Sequence, residues 1–247
     1  MTVLQKQIKK NIEKEFKEQC DETLIVEFVS NVSESAYEIT SKSKMKFVNS
    51  YDGGVQYGIF IPPIHSTDTY HILIWNGLKE SREFMTSAHE LEHAKLYVNM
   101  LRTVFENDCN KLNKSFLNEY FQVFSEFSAY RKGMENYLRN VTFDGYTQED
   151  VAIALLEEKL EFYQQNIDKS FKQSRLMYNS ILAGSILGAL DVVKSKRVLA
   201  FLDELDSDEH IKKVYNVMYN YKDEKDWYTE YSDVVDEYYW SWKMNSC

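Results

Sequence analysis

Residues that break helices are scarce in this chain, and their scarcity limits the folds open to it. The 247 residues include 8 Gly and 2 Pro, whereas Tyr and Phe number 18 and 14. Glycine and proline most disfavour a helix interior, so a chain with few of them and many long side chains is expected to be largely helical. The length suits one large domain or two small ones.

The first third of the chain departs from that helical pattern. After an amphipathic helix predicted over residues 3–19, five short segments are rich in β-branched and aromatic residues, and turn signals such as Asp52-Gly53-Gly54 separate them. These segments predict a small sheet of about four or five strands. The segments are TLIVEFVS, AYEIT, MKFVNS, VQYGIFIPP and TYHILIW, which begin at Thr23, Ala36, Met45, Val55 and Thr69.

The remainder of the chain has the periodicity of helices. We expect helices at about 80–105, at about 115–140, from about Thr147, and over roughly 171–204, with further helices in the C-terminus. Thr147 and Asp150 resemble a capping box at the start of the third of these. The predicted class is α+β and mostly α: a small N-terminal sheet with helices over residues 1–140, and a helical C-terminal part over residues 141–247.

Charge and cysteine usage restrict the partners and the compartment. The formal net charge of -10 repels nucleic acid phosphates, so we expect no nucleic acid partner. Cys20, Cys109 and Cys247 are widely spaced and odd in number, which favours a reducing compartment over a disulfide framework. The charged N-terminus lacks the apolar core of a signal peptide, and the apolar run from Ile181 is too short to span a bilayer. These features predict a soluble cytoplasmic protein without a membrane partner.

The stretch EFMTSAHELEHAKLY, residues 83–97, contains an HExxH pattern formed by His89, Glu90 and His93. Positions four apart lie on one face of a helix, so both imidazoles can bind a single metal ion. Glu90 lies about 100° further round the helix, where a base can take a proton from water at the metal. The pattern therefore predicts a zinc site with a catalytic carboxylate.

A hydrolytic zinc site takes three protein ligands, so one more is needed. Glu126, in YFQVFSEFSAYRKG, is our candidate, because the small residues Ala129 and Gly133 follow it and would let two helices approach closely. Glu119 and Glu106 remain as rivals.

The stretches HELEHA (residues 89–94) and EFSAY (residues 126–130) resemble those of gluzincin zinc metallopeptidases, and they are similar to the compact intracellular ImmA/IrrE-like metallopeptidases. The resemblance covers about residues 69–133. It implies a zincin-like fold in which His89, His93 and Glu126 bind zinc and Glu90 is the catalytic base. A peptide or protein is the implied substrate, added as an extended strand to the sheet edge beside the metal helix.

The expected activity is zinc-dependent hydrolysis of peptide bonds, with Glu90 activating water acidified by the ion. The residue that stabilises the oxyanion is open among Tyr130, Tyr97, His71 and His210, and His65 is expected in a loop.

Two other classes of protein remain as alternatives. A di-iron carboxylate protein needs the Glu-x-x-His motif twice, and this chain has one copy, at Glu90 and His93. The other alternative is a catalytically silent zincin-fold scaffold that uses the acidic, aromatic C-terminal half as a partner surface. The sequence does not define the oligomeric state.

Overall fold

The structure is a computed structural model that describes residues 1–41, 56–63, 69–116, 119–167, 172–205, 209–220, 230–231 and 233–237. Its three strands are β1 (Leu24–Val29), β2 (Gly58–Ile61) and β3 (Tyr70–Trp75). Its helices are α1 (Val3–Cys20), α2 (Val32–Ser41), α3 (Glu80–Thr103), α4 (Cys109–Phe116), α5 (Glu119–Asn140), α6 (Gln148–Ile167), α7 (Lys172–Val193), α8 (Lys196–Leu199), the 3-10 helix η1 (Ala200–Glu204) and α9 (Glu209–Tyr219). The α+β, mostly α class predicted from the sequence is confirmed.

The described strands form one mixed sheet in the order β1-β3-β2. Strand β1 runs parallel to β3, and β2 runs antiparallel to β3 with Gly58 opposite Ile74. The Trp75 N–H donates to the Tyr57 carbonyl at 2.8 Å, so the alternation of an antiparallel ladder directs the backbone groups of Gly58 and Phe60 away from β3. Within the described part of the chain, β2 therefore presents an open edge.

The segment AYEIT, expected as a strand, lies instead in α2, so that prediction was wrong. Asn31 supplies the reason at the start of the helix, because its side-chain oxygen accepts from the Glu34 N–H at 3.1 Å as an N-cap does. Val32 and Ala36, one turn apart, are both buried against Leu73 of the sheet. The segment MKFVNS lies outside the described residues.

The helix expected over roughly 171–204 is interrupted, and that extent was also wrong. Helix α7 ends at Val193, and Lys194 has a left-handed φ of 49°. Ser195 then caps α8, its hydroxyl oxygen accepting from the Arg197 N–H at 3.0 Å. By contrast, Thr147 and Asp150 form the reciprocal hydrogen bonds of the predicted capping box before α6.

Helices α3, α5 and α7 pack side by side, with α5 in the middle. Gly184 and Gly188 of α7 lie directly against the backbone carbonyls of Phe127 and Arg131, and a Cβ at either glycine would collide with them. One continuous buried core includes side chains from both sides of residue 140. The division into residues 1–140 and 141–247 stays a prediction.

Among the described residues, α7 is the one helix that passes a test for membrane-spanning segments. By length and composition the stretch Arg175–Val193 could cross a membrane, but 61% of it is buried inside the structure. Such a helix is equally typical of the core of a soluble protein. Its packing against α5 and α6 accounts for its apolar character.

Candidate metal centre

Helix α3 brings His89 and His93 together because they are one turn apart on the same face. Their Nε2 atoms are 3.0 Å apart, and their rings meet edge to face with centroids 4.6 Å apart. His93 is 9% exposed, and the His89 side chain is 17% exposed. Both imidazoles therefore point into one small, largely dry space.

Helix α5 adds Glu126 to the two histidines. Its carboxylate oxygens lie 3.6 Å from the His89 Nε2 and 3.7 Å from the His93 Nε2. In a tetrahedral site with zinc–ligand distances of 2.0–2.1 Å, ligand atoms lie about 3.3 Å apart. The three separations of 3.0, 3.6 and 3.7 Å bracket that value. The donor set and its size therefore fit a zinc ion.

Small residues of α5 let this helix pack close enough to α3 for Glu126 to reach the two histidines. Ala129 is fully buried, and a Cβ added to Gly133 would lie 3.1 Å from the Met85 carbonyl oxygen and 3.5 Å from the His89 Cβ. A larger side chain at Gly133 would push α5 away from α3. The distance between Glu126 and the histidines depends on this contact.

Helix α5 also orients both imidazoles through hydrogen bonds to their other nitrogens. With its proton on Nδ1, His93 donates to the Ser125 hydroxyl oxygen at 2.6 Å. The His89 ring donates to the backbone carbonyl of Ala129. Each bond fixes the tautomer that leaves the Nε2 lone pair free for a metal, as is usual around metal-binding histidines.

Glu90 lies beside the ligands and is 6% exposed. Its carboxylate accepts from the Phe60 backbone N–H, which points out of the open edge of β2. Gly58 makes the close approach of strand and helix possible, since a Cβ there would lie 3.0 Å from the Glu90 Oε1 and 2.6 Å from the Thr86 Cγ2. The sheet edge thus holds the candidate base in place.

Burial shapes the charge states of the metal-free site. Desolvation lowers the pKa of His93 to about 4 and holds the pKa of His89 well below its usual range, so both rings are neutral at pH 7. Desolvation raises the pKa of Glu126 to about 7, and the positive charge of Lys159 opposes this rise. Burial, with the Glu126 charge nearby, raises the pKa of Glu90 well above its usual range. Neutral imidazoles are the form that binds a metal.

A ring and a cation complete the surroundings of His89. The Tyr130 ring meets the His89 ring edge to face, with centroids 4.7 Å apart. Lys159 of α6 places its Nζ 4.3 Å from the centroid of the same tyrosine ring. Burial lowers the pKa of Lys159 to about 8, so its ammonium remains largely charged at pH 7.

Of the two rival third ligands, Glu106 is not part of the group found, and Glu119 stays a prediction. Among the described residues, the group that satisfies a metal-ligand geometry consists of His89, His93 and Glu126. Glu106 is exposed with a left-handed φ of 50° in the turn after α3. The side chain of Glu119 lies outside the described residues.

The remaining sequence candidates lie in different surroundings. The Tyr97 ring packs against Phe60 and Tyr70, and its hydroxyl donates to the Pro63 carbonyl at 3.5 Å. His71 lies in β3, where burial lowers its pKa. His210 lies at the start of α9, with its Nδ1 3.5 Å from a Glu237 oxygen. His65 lies outside the described residues. Of the four oxyanion candidates, Tyr130 is the one that contacts a metal-site residue.

Two residues at the centre were missed by the sequence analysis. Ser125 had a local signal, because it is a polar residue directly before Glu126 in the otherwise apolar run VFSEF. Lys159 had none, because it is one of several charged residues in α6 and only the packing of that helix brings it to Tyr130.

Comparison with protein-family models, with curated proteins and with solved structures finds no match for this chain. The chemistry of the metal centre is therefore inferred from its geometry alone.

Proposed function

We propose that this protein is a zinc-dependent metallopeptidase that hydrolyses peptide bonds. The observation that carries the proposal is the convergence of three metal-binding groups, His89, His93 and Glu126, from two helices, with a buried carboxylate next to them. A structural role alone does not require two largely buried imidazoles and a carboxylate to converge on one point, since buried polar groups cost free energy unless they are paired. Zinc is the first-choice ion for such a nitrogen and oxygen donor set with three protein ligands.

A zinc ion bound here would supply Lewis acidity that acidifies water and polarises a carbonyl group. Glu90 takes the proton from the attacking water and later delivers it to the leaving amine nitrogen. Its raised pKa suits both roles, because a carboxylate with a raised pKa is a stronger base and holds the proton until the amine takes it. Ser125 and the Ala129 carbonyl hold the two histidines in the orientation that the site needs.

The open edge of β2 is the proposed binding surface for the peptide. The outward backbone groups of Gly58 lie next to Glu90, so an extended chain that pairs with this edge would bring a scissile bond to the base. Backbone pairing is independent of side-chain identity, so selectivity for particular peptides has to come from contacts outside the strand.

Metal analysis and two variants test the proposal. We expect one zinc per chain in the wild type and its loss in His89→Ala. We expect Glu90→Gln to keep zinc but to lose cleavage of a peptide library sampled by mass spectrometry, because the amide cannot take up the proton from water. Lys213→Met, on the surface of α9, is the control and should change neither result.

Failure can take two forms. A wild-type protein that binds no zinc in the micromolar range would refute the metal centre. A zinc-loaded protein that cleaves no peptide would refute the peptidase and favour the catalytically silent scaffold.

A further inference from the structure

A positive charge lies beside the candidate metal ligands, where it is not needed to hold a metal. Lys159 comes from α6, and its Nζ lies 4.3 Å from the Tyr130 ring centroid, while that ring packs against His89. Its charge acts on both His89 and Glu126. The ammonium group is therefore one tyrosine ring away from His89, and its charge reaches two of the three ligands.

A lysine in this place weakens metal binding, because it repels a divalent cation at short range in a medium of low polarity. Its burial also costs free energy. The carboxylate of Glu158, its neighbour in sequence, lies 3.7 Å from the Arg82 guanidinium. The charges that act on Lys159 are those of Arg82, Glu158 and Glu126. The Lys159 ammonium is therefore suited to bind an anion that forms only during the reaction.

Lys159 and Glu90 belong to different helices, α6 and α3. The groups that act on Glu90 are Glu126 and the Phe60 N–H of the sheet edge, whereas Lys159 acts on Glu126 and His89 from α6. Glu126 is therefore coupled electrostatically to both the candidate base and the ammonium. Attack by water on a peptide bond needs two such groups, a base for the nucleophile and a positive group where the carbonyl oxygen becomes charged.

We propose that Lys159 is a catalytic residue that donates a hydrogen bond from its ammonium group to the oxyanion of the tetrahedral intermediate, and that the Tyr130 ring positions it. This inference rests on the proposed peptidase function. In the step concerned, the water oxygen bonds to the carbonyl carbon and Glu90 takes the proton. The π electrons of the carbonyl move onto its oxygen beside Lys159. When the carbon–nitrogen bond breaks, those electrons re-form the carbonyl and the amine takes the proton from Glu90.

A small tetrahedral anion gives a test that does not depend on knowing the substrate. Methylphosphonate has the shape and negative charge of the intermediate, and calorimetry measures its binding to the zinc-loaded protein. We expect Lys159→Met to weaken methylphosphonate binding by about 10- to 100-fold, the range for a lost hydrogen bond to a charged group. Its zinc affinity should be unchanged or tighter, because a repelling charge is removed.

Matched variants separate this role from a general effect of charge. Lys159→Arg keeps the cation and should recover most of the affinity for methylphosphonate. Lys132→Met removes an exposed lysine of α5 that pairs with Glu135, and it should bind methylphosphonate like the wild type. Thermal unfolding of each variant verifies that the fold is retained, and Lys159→Gln is the second variant if Lys159→Met unfolds.

Two variants of Tyr130 decide which group is the donor. Tyr130→Phe keeps the ring under the ammonium, so methylphosphonate binding should persist if Lys159 is the donor. Tyr130→Leu removes the ring and should weaken binding. A large loss in Tyr130→Phe would overturn the proposal in favour of the tyrosine hydroxyl.

The failure of this inference is distinguishable from that of the peptidase proposal. A wild type that binds zinc, and whose affinity for methylphosphonate is the same in Lys159→Met, overturns the role of Lys159 alone. Loss of zinc in Lys159→Met also overturns it, because the lysine would then be a structural part of the metal site. A wild type without zinc removes the basis of both proposals.

Discussion

Removing the Ser125 hydroxyl tests how far the metal centre depends on its supporting hydrogen bonds. The Oγ lies 2.6 Å from the His93 Nδ1, and both residues are buried, with Ser125 2% exposed. In Ser125→Ala the Nδ1–H keeps its proton when Nε2 binds zinc, but it has no acceptor from this side chain. Leaving a buried donor unsatisfied costs about 1–3 kcal/mol. We therefore expect a zinc dissociation constant about 5- to 150-fold higher than in the wild type.

Competition between the protein and a chromophoric chelator measures this change at constant pH. Ser128→Ala is the matched control, because it deletes the same hydroxyl three residues later on α5, outside the ligand group. Urea unfolding with and without zinc gives a second reading, since a ligand stabilises the folded chain in proportion to the logarithm of its concentration over its dissociation constant. A Ser125→Ala protein with wild-type zinc affinity would refute the reasoning that His93 needs this partner.

The remaining predictions concern pH and helix packing. Zinc affinity should fall about tenfold per pH unit as the pH decreases below 7, because the metal-free Glu126 has a pKa of about 7 and must release its proton before it binds. Calorimetry should detect about one proton released per zinc at pH 6, and an affinity that is constant between pH 5.5 and 7 would contradict the expectation. Gly184→Ala should lower the free energy of unfolding by about 1–3 kcal/mol and should also weaken zinc binding, because the added Cβ pushes Phe127, next to Glu126, away from α7. Gly145→Ala, at φ 78° with no atom within 4 Å of an added Cβ, should cost about 1–2 kcal/mol without changing zinc affinity, and equal zinc effects in both variants would contradict this reasoning.

Local patterns predicted the elements that are determined by neighbours in sequence. Runs of β-branched and aromatic residues form the strands at Leu24–Val29, Gly58–Ile61 and Tyr70–Trp75. A long segment without helix breakers forms α3. The proximity of His89 and His93 could be predicted from their spacing, because one helical turn brings them together independently of the rest of the fold.

The errors arose where distant contacts or single residues decided the outcome. AYEIT has strand-like residues, yet the Asn31 cap and the burial of Ala36 against the sheet place it in a helix. Apolar residues resume at Val198, but the left-handed backbone of Lys194 and the Ser195 cap separate α7 from α8. The position of Lys159 beside Tyr130 depends on how α6 packs, and no spacing along the chain encodes it.

The bare backbone of Gly58 also limits how β2 can pair with β3. A slip of the strand by one residue would bring Ile59 against Thr86 and Glu90, where its Cβ would displace both side chains, and it would turn the Phe60 N–H toward β3. A slip by two would place Phe60 or Gln56 in the same narrow gap. Since β2 contains one glycine, the observed alignment is the one that leaves these side chains of α3 in place. The same missing side chain therefore keeps the strand in register and keeps the carboxylate of Glu90 aimed at its partner.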